Sequence, residues 1–326
     1  MNLPAMHRGT TRAHIDILGG ATMGTTWSVK LVTARHSDLH VLHAAIQAQL
    51  DRVVAQMSNW EADSDISRYN AAASGTWYVL PDAFWSVLSC ALDIARTSGG
   101  AYDPTVGPLV DAWGFGPSAR CLELAAREAV RERIGWTRVA VDASRQRVLQ
   151  PGLVQLDLCA IAKGHAVDAV AGELRRLGID SALVEVGGEL YGFGQKPDGS
   201  PWRVIVEGWQ GDEDDANEPR VLALDGLAVA TSGNRWHRRF QQDREFSHTL
   251  DPRSGRPVEN APVAVTVAAR DAMHADGWAT ALTVLGMHAG HAFAVEHGLA
   301  ARFVDVRADG SIDERMTPAF EALLAA

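Results

Sequence analysis

Residues 155–194 read QLDLCAIAKGHAVDAVAGELRRLGIDSALVEVGGELYGFG. The order this predicts is strand, turn, helix, strand, glycine turn, strand. Leu156 and Leu158 alternate with Asp157, and a tight segment ends at Lys163-Gly164. From there Val167, Val170, Ala171, Leu174 and Leu177 recur at helical spacing, and Gly178 stands where a helix commonly stops. Residues 181–186 form a short apolar strand that Gly187-Gly188 breaks. The order resembles a parallel βαβ unit, yet the stretch holds neither a P-loop nor a GxGxxG fingerprint. Asp157 and Lys163 flank the start of the helix, where free N–H groups and a lysine favour an anion such as a phosphate. A surface lysine and a turn-capping aspartate account for the same pattern.

Outward from this stretch, composition sets limits. The 326 residues are 47% hydrophobic and 21% charged, an ordinary globular balance. A net charge of −10 argues against a nucleic-acid partner and means that an anionic ligand needs a cation, a metal ion or helix N-termini. The three cysteines, Cys90, Cys121 and Cys159, are scattered in no zinc-like spacing. No run approaches the ~18 apolar residues of a transmembrane segment. The N-terminus lacks the apolar core of a secretory signal or a lipobox cysteine, so the chain as written reads as cytoplasmic, or periplasmic if its true start lies further upstream.

Along the chain, helices are expected at 41–57, 81–98, 122–134, 271–285 and 318–324, and strands or hairpins at 14–18, 27–31, 138–149, 202–207, 220–230, 262–269 and 302–306. The segment 57–70, MSNWEADSDISRYN, is polar and rich in turn formers, and reads as a loop in which Trp60 either stacks on a planar ligand or anchors the loop. GDEDDANEP at 211–219 reads as an exposed acidic loop. In the helix at 271–285, Asp276 and Thr280 lie four residues apart on one face. A carboxylate and a hydroxyl so placed are hard oxygen ligands suited to Mg²⁺, which completes its shell with phosphate and water. A first-turn Asp and a Thr bonded back to a carbonyl explain the pair equally well.

Taken together, these segments resemble the ApbE family of FAD:protein FMN transferases. The motifs are MGTTW at 23–27, the segment 57–70, GGAYDPTVGPLVDAWGFG at 99–116, LDLCAIAKGHAVD at 156–168, VEVGGELYGFGQKPDGSPW at 184–202, ATSGN at 230–234, HTLDPRSGRP at 248–257 and ADGWATAL at 275–282. Each is weak alone; their common order is specific. The resemblance implies an α+β fold in two lobes, with a mixed, mostly antiparallel sheet flanked by helices and FAD between the lobes. It implies an N-terminal extension at 1–18 and one catalytic unit at 19–326. By motif position, Met23, Trp60, Ala101, Tyr102, Asp103, Asp157, Lys163 and Leu250 would contact FAD. Ala160 (through its carbonyl), Asp276 and Thr280 would hold Mg²⁺, and His248 would be the base. The implied partners are FAD and an acceptor protein carrying a D-x-x-[ST]-[GA]-A-T-like motif.

Several positions depart from the family pattern. Gly277 and Trp278 replace smaller or more helix-favouring residues, Asn234 stands where Asp is common, and Arg244-Glu-Phe-Ser247 lacks a second histidine. Two other readings use the same site: a Mg²⁺-dependent FAD pyrophosphatase, and a non-catalytic FAD-binding protein.

Overall fold

Alternating apolar residues build the centre of the molecule. The computed structural model describes residues 13–34, 37–118, 122–206, 220–233, 238–241, 244–247, 249–259, 261–307 and 309–324, with only the backbone at 124–125 and 238–247. In chain order the elements are β1 (His14–Thr22), β2 (Thr25–Thr33), α1 (Leu39–Met57), α2 (Asp65–Ala71), β3 (Trp77–Val79), α3 (Asp82–Thr97), α4 (Gly107–Ala112), α5 (Leu124–Arg131), β4 (Ala140–Asp142) and β5 (Arg147–Leu149). Next come α6 (Ala162–Arg176), β6 (Ala182–Val186), β7 (Glu189–Phe193), β8 (Trp202–Val206), β9 (Arg220–Leu224), β10 (Leu227–Ser232), β11 (Arg238–Gln241), β12 (Arg244–Ser247), β13 (Leu250–Asp251) and β14 (Arg256–Pro257). The chain closes with β15 (Ala264–Ala269), α7 (Ala272–Leu285), α8 (Met287–Glu296), β16 (Ala300–Val306), β17 (Ile312–Met316) and α9 (Pro318–Leu324).

The eight-stranded sheet has the order β1-β2-β6-β7-β10-β15-β16-β17. Every pairing in it is antiparallel. Successive strand side chains face opposite sides, and the sequence uses both. Val184, Val186, Ala228, Ala230, Val265 and Val267 face a core shared with α1, α3, α6 and α7. Leu183, Val229 and Ala268 face a smaller core closed by Trp202, Leu222, Leu224 and Phe320. Burying such aliphatic side chains contributes about 1.5–3 kcal/mol each, so helices are held on one face and the β8–β9 hairpin with α9 on the other. The α+β expectation holds.

The parallel βαβ order at 155–186 does not form. Residues 155–158 belong to no strand. Their polar backbone is satisfied elsewhere: Leu156 N–H donates to Asn70 Oδ1 at 2.7 Å, Asn70 Nδ2 donates to the Leu156 carbonyl at 2.9 Å, and Asp157 N–H donates to the Pro104 carbonyl at 2.8 Å. The segment therefore lies between two motif loops rather than in a sheet. Nor is 57–70 loop throughout, because Ser64 caps α2 by accepting from Ser67 N–H at 3.1 Å. β1 begins at His14 and pairs along its whole length with β2, so residue 19, the expected start of the catalytic unit, falls inside a strand. The hairpin expected at 138–149 forms as β4 and β5 and gains β3 at its edge. The acidic loop 211–219 lies outside the described residues. No helix among the described residues is long and apolar enough to cross a membrane.

Candidate functional site

Met23, Trp60, Ala101, Tyr102, Asp103, Asp157, Ala160, Lys163, Leu250, Asp276 and Thr280 all line one cavity of about 950 Å³. These are all the expected FAD and metal contacts. The expected base, His248, lies outside the described residues, as does Asn234. Thr249, the residue after His248, lines the same cavity.

Most of these side chains arrive from element ends and connecting loops, while Asp276 and Thr280 come from within α7. Met23 and Gly24 join β1 to β2 as a two-residue turn with φ 49° and 71°. Positive φ at both positions is the hairpin geometry whose twist matches the strands, at some cost for a non-glycine residue. Trp60 stands at the rim, 57% exposed. Asp103 braces the loop before α4: its Oδ1 accepts from Thr105 N–H at 2.8 Å and Oγ1 at 2.7 Å, and its Oδ2 from Trp136 N–H at 3.0 Å. Burial nonetheless lifts its pKa above the usual range. Tyr102 is buried with its hydroxyl unpartnered among the described residues. Its burial, reinforced by Asp276 and Asp157, keeps the phenol protonated and able to donate.

The charged centre joins the first turn of α6 to α7 and the start of β7. Asp276 is 3% exposed. Its Oδ2 accepts from Gly164 N–H at 3.0 Å, and its Oδ1 lies 3.9 Å from Lys163 Nζ. Burial raises the Asp276 pKa, with Lys163 and the Gly164 N–H opposing. Lys163 is in contact with Glu189. Burial works against the Lys163 charge, but Asp276 and Glu189 outweigh it and hold its pKa above the usual value. Glu189, 4% exposed, is pushed up to about 7 by burial and by Asp276, with Lys163 pulling the other way. Thr280 Oγ1 is 3.1 Å from Ser232 Oγ at the end of β10.

The fit of a cation can be judged on these atoms. Among the described residues no group of three or more His, Cys, Asp or Glu is arranged to hold a metal. Asp276 Oδ1 is a buried carboxylate oxygen whose nearest cation among the described residues is 3.9 Å away, and Thr280 supplies a hydroxyl on the same cavity wall. One carboxylate with neutral oxygens is a poor site for zinc and a fitting one for Mg²⁺, which draws other ligands from phosphate and water. The residues present fit that ion.

Sequence reasoning missed Glu189 and Ser232. Glu189 follows the Gly187-Gly188 turn, and a charged residue at the start of an otherwise apolar strand was the available signal. Trp278 does not line the cavity; it packs on Phe293 of α8 with ring centroids 5.7 Å apart. Gly277 has a packing role: an added Cβ would meet Ile94 Cδ1 at 2.6 Å.

A sequence profile described as the ApbE family matches residues 23–303. The chain is 35% identical over 311 residues to a protein of Vibrio cholerae named FAD:protein FMN transferase, covering 94% of this chain and 92% of that one. It is 33% identical over 314 residues to the protein of that name from Klebsiella pneumoniae, covering 94% and 89%. The crystal structure of Pseudomonas stutzeri flavinyl transferase ApbE in its apo form superposes with a TM-score of 0.87 at 37% identity, covering 96% of this chain and 98% of that one.

Proposed function

Since the chain belongs to the ApbE family, we propose that it transfers the FMN half of FAD to a Thr or Ser hydroxyl of a target protein and releases AMP. The observation that carries this reading is the convergence of eleven residues from separate motifs on one cavity. Its volume is at the upper end of the roughly 300–1,000 Å³ of small-molecule sites, suited to a dinucleotide.

Asp276 and Thr280, with the Ala160 carbonyl, would hold Mg²⁺. Bound there, the ion would neutralise pyrophosphate charge and make phosphorus a better electrophile. Lys163 adds a second positive charge and stabilises the leaving phosphate of AMP. Tyr102 offers a hydroxyl donor, and Trp60 offers a ring at the rim for a planar group. The acceptor oxygen forms a bond to the FMN phosphorus, the bridging P–O bond breaks toward AMP, and the hydroxyl proton passes to a base. His248 fills that last role in our reading, because an imidazole titrates near neutral pH. The acceptor would carry a D-x-x-[ST]-[GA]-A-T-like segment.

The test incubates the protein with FAD and Mg²⁺, with and without a domain bearing that segment, and follows AMP and the acceptor's mass. One added FMN on the acceptor, absent with Asp276→Ala, is the expected result. AMP and free FMN without acceptor would replace transfer by hydrolysis. Bound FAD with no AMP in either sample would overturn both.

A further inference from the structure

Glu189 has no part in the steps above, yet it is the closest charged partner of Lys163 among the described residues. It stands at the first position of β7, almost fully buried. One carboxylate oxygen meets Lys163 Nζ, and the other is buried without a partner among the described residues. A buried carboxylate oxygen without a partner is costly, so a glutamate at this spot calls for a role.

The geometry around Asp276 supplies one. Gly164 N–H occupies Oδ2. Oδ1 is therefore the oxygen open both to a cation and to Lys163, whose ammonium is 3.9 Å away. A shift of roughly 1 Å would close that gap to a charge-assisted hydrogen bond of about 2.8 Å. Such a bond would occupy the oxygen a divalent ion needs. Two carboxylates thus compete for one lysine, and Glu189 is the one in contact with it.

We propose that Glu189 is a positioning residue: it holds the Lys163 ammonium away from Asp276 and so keeps Asp276 Oδ1 open to the divalent cation. This rests on the reading of Asp276 as a metal ligand. It deepens that reading by giving the Lys163–Glu189 contact a role at the metal site. When the pyrophosphate arrives, the same ammonium is already on the cavity wall, beside the anion's path and off the metal's. Gly187 leaves room for this arrangement, since a Cβ there would meet Lys163 Cδ at 3.3 Å.

The test uses Mn²⁺ alone as the probe, its binding followed by electron paramagnetic resonance on the FAD-free protein. Wild type, Glu189→Gln, Lys163→Met, the double variant and Asp276→Ala are compared. The expected pattern is non-additive. Lys163→Met alone changes Mn²⁺ affinity by less than about threefold, because the lysine is already held aside. Glu189→Gln weakens it by about tenfold or more, and adding Lys163→Met to that variant restores it, a coupling of the size double-mutant cycles resolve. A simple field effect predicts instead that Lys163→Met tightens binding equally in both backgrounds; additive affinities would overturn the proposal while leaving the metal site intact. Should Glu189→Gln fail to fold, Lys163→Met alone still separates the two outcomes. Wild-type protein that binds no Mn²⁺, or binding that survives Asp276→Ala, would overturn the metal reading and the positioning role with it.

Discussion

The backbone N–H of Gly164 donates to Asp276 Oδ2 at 3.0 Å, so the first turn of α6 and the second turn of α7 share a hydrogen bond inside the cavity wall. That contact requires the two helices to touch at their backbones. A Cβ on Gly164 would fall 2.1 Å from the Ala272 carbonyl oxygen and 2.8 Å from Met273 N. Backbone cannot rotate aside as a side chain can. Gly164→Ala is expected to destabilise the protein by at least about 2 kcal/mol, read by urea unfolding. Because α6 must retreat, Asp276 also loses its N–H donor, and Mg²⁺ affinity measured by calorimetry should fall with stability.

Asp276 separates stability from function in the opposite way. Its charge is buried, and burial is the leading cause of its raised pKa. Asp276→Asn removes that charge and keeps the shape. Because folding favours the neutral form of this carboxyl, and Lys163 keeps Glu189 as its partner, unfolding free energy without metal should stay within about 1 kcal/mol of wild type or rise. Mg²⁺ should no longer raise Tm, since only a ligand that binds the folded state does so. AMP release should drop by about 100-fold or more, in the range seen when a group that stabilises developing charge is lost.

The parts of this site legible in the sequence were those carried by short motifs at element ends. Met23, Asp157, Lys163 and Asp276 each sit beside a glycine, turn or helix start that fixes them locally. What stayed hidden depends on partners far along the chain. Residues 155–158 alternate as a strand does, but their backbone is taken by Asn70, 86 residues away, and alternation alone cannot reveal a missing strand partner. α2 was masked because Ser64, its cap, belongs to the same residue class that marks turns. Glu189 gave only one charged letter in an apolar run, and its meaning comes from Lys163 on another element.

Asp168 links the two helices again. It accepts from Ala272 N–H at 2.8 Å and Met273 N–H at 2.9 Å, capping the start of α7 from the flank of α6. Burial pushes its pKa up to about 6, with those two N–H groups opposing. The folded pKa exceeds the ordinary value of 3.8, so between the two the folded protein binds more protons than the unfolded chain. The Asp168 contribution is therefore full below pH 3.8 and lost as pH rises through about 6. Asp168→Asn should flatten the fall in Tm across that window. Asp168→Ala should cost about 1–2 kcal/mol near pH 4, the worth of a helix cap, and less at neutral pH, where burial of the charge offsets the cap. A Tm profile from pH 4 to 7 in which wild type and Asp168→Asn run parallel would contradict this.

Gly277 is the position at which local propensity and packing disagree most openly. In a helix interior alanine is favoured over glycine by about 1 kcal/mol, and nothing in the neighbouring sequence explains the glycine. The reason lies in α3: a Cβ at 277 would meet Ile94 Cδ1 at 2.6 Å and Ile161 Cδ1 at 3.3 Å. The obstacle is the end of a side chain, so it can be removed on its own. Gly277→Ala alone should destabilise, because overpacking by one methyl costs about 1–3 kcal/mol and outweighs the propensity gain. Ile94→Val alone should cost about 0.5–1.5 kcal/mol. In the double variant the valine lacks the atom that clashes, and the alanine fills the vacated space. The pair should therefore be more stable than the sum of its parts by about 1 kcal/mol or more, measured by denaturant unfolding of all four proteins. Simple additivity would mean that α7 shifts away from α3 as a body, and in that case Mg²⁺ binding through Asp276, one residue earlier, should weaken in Gly277→Ala as well.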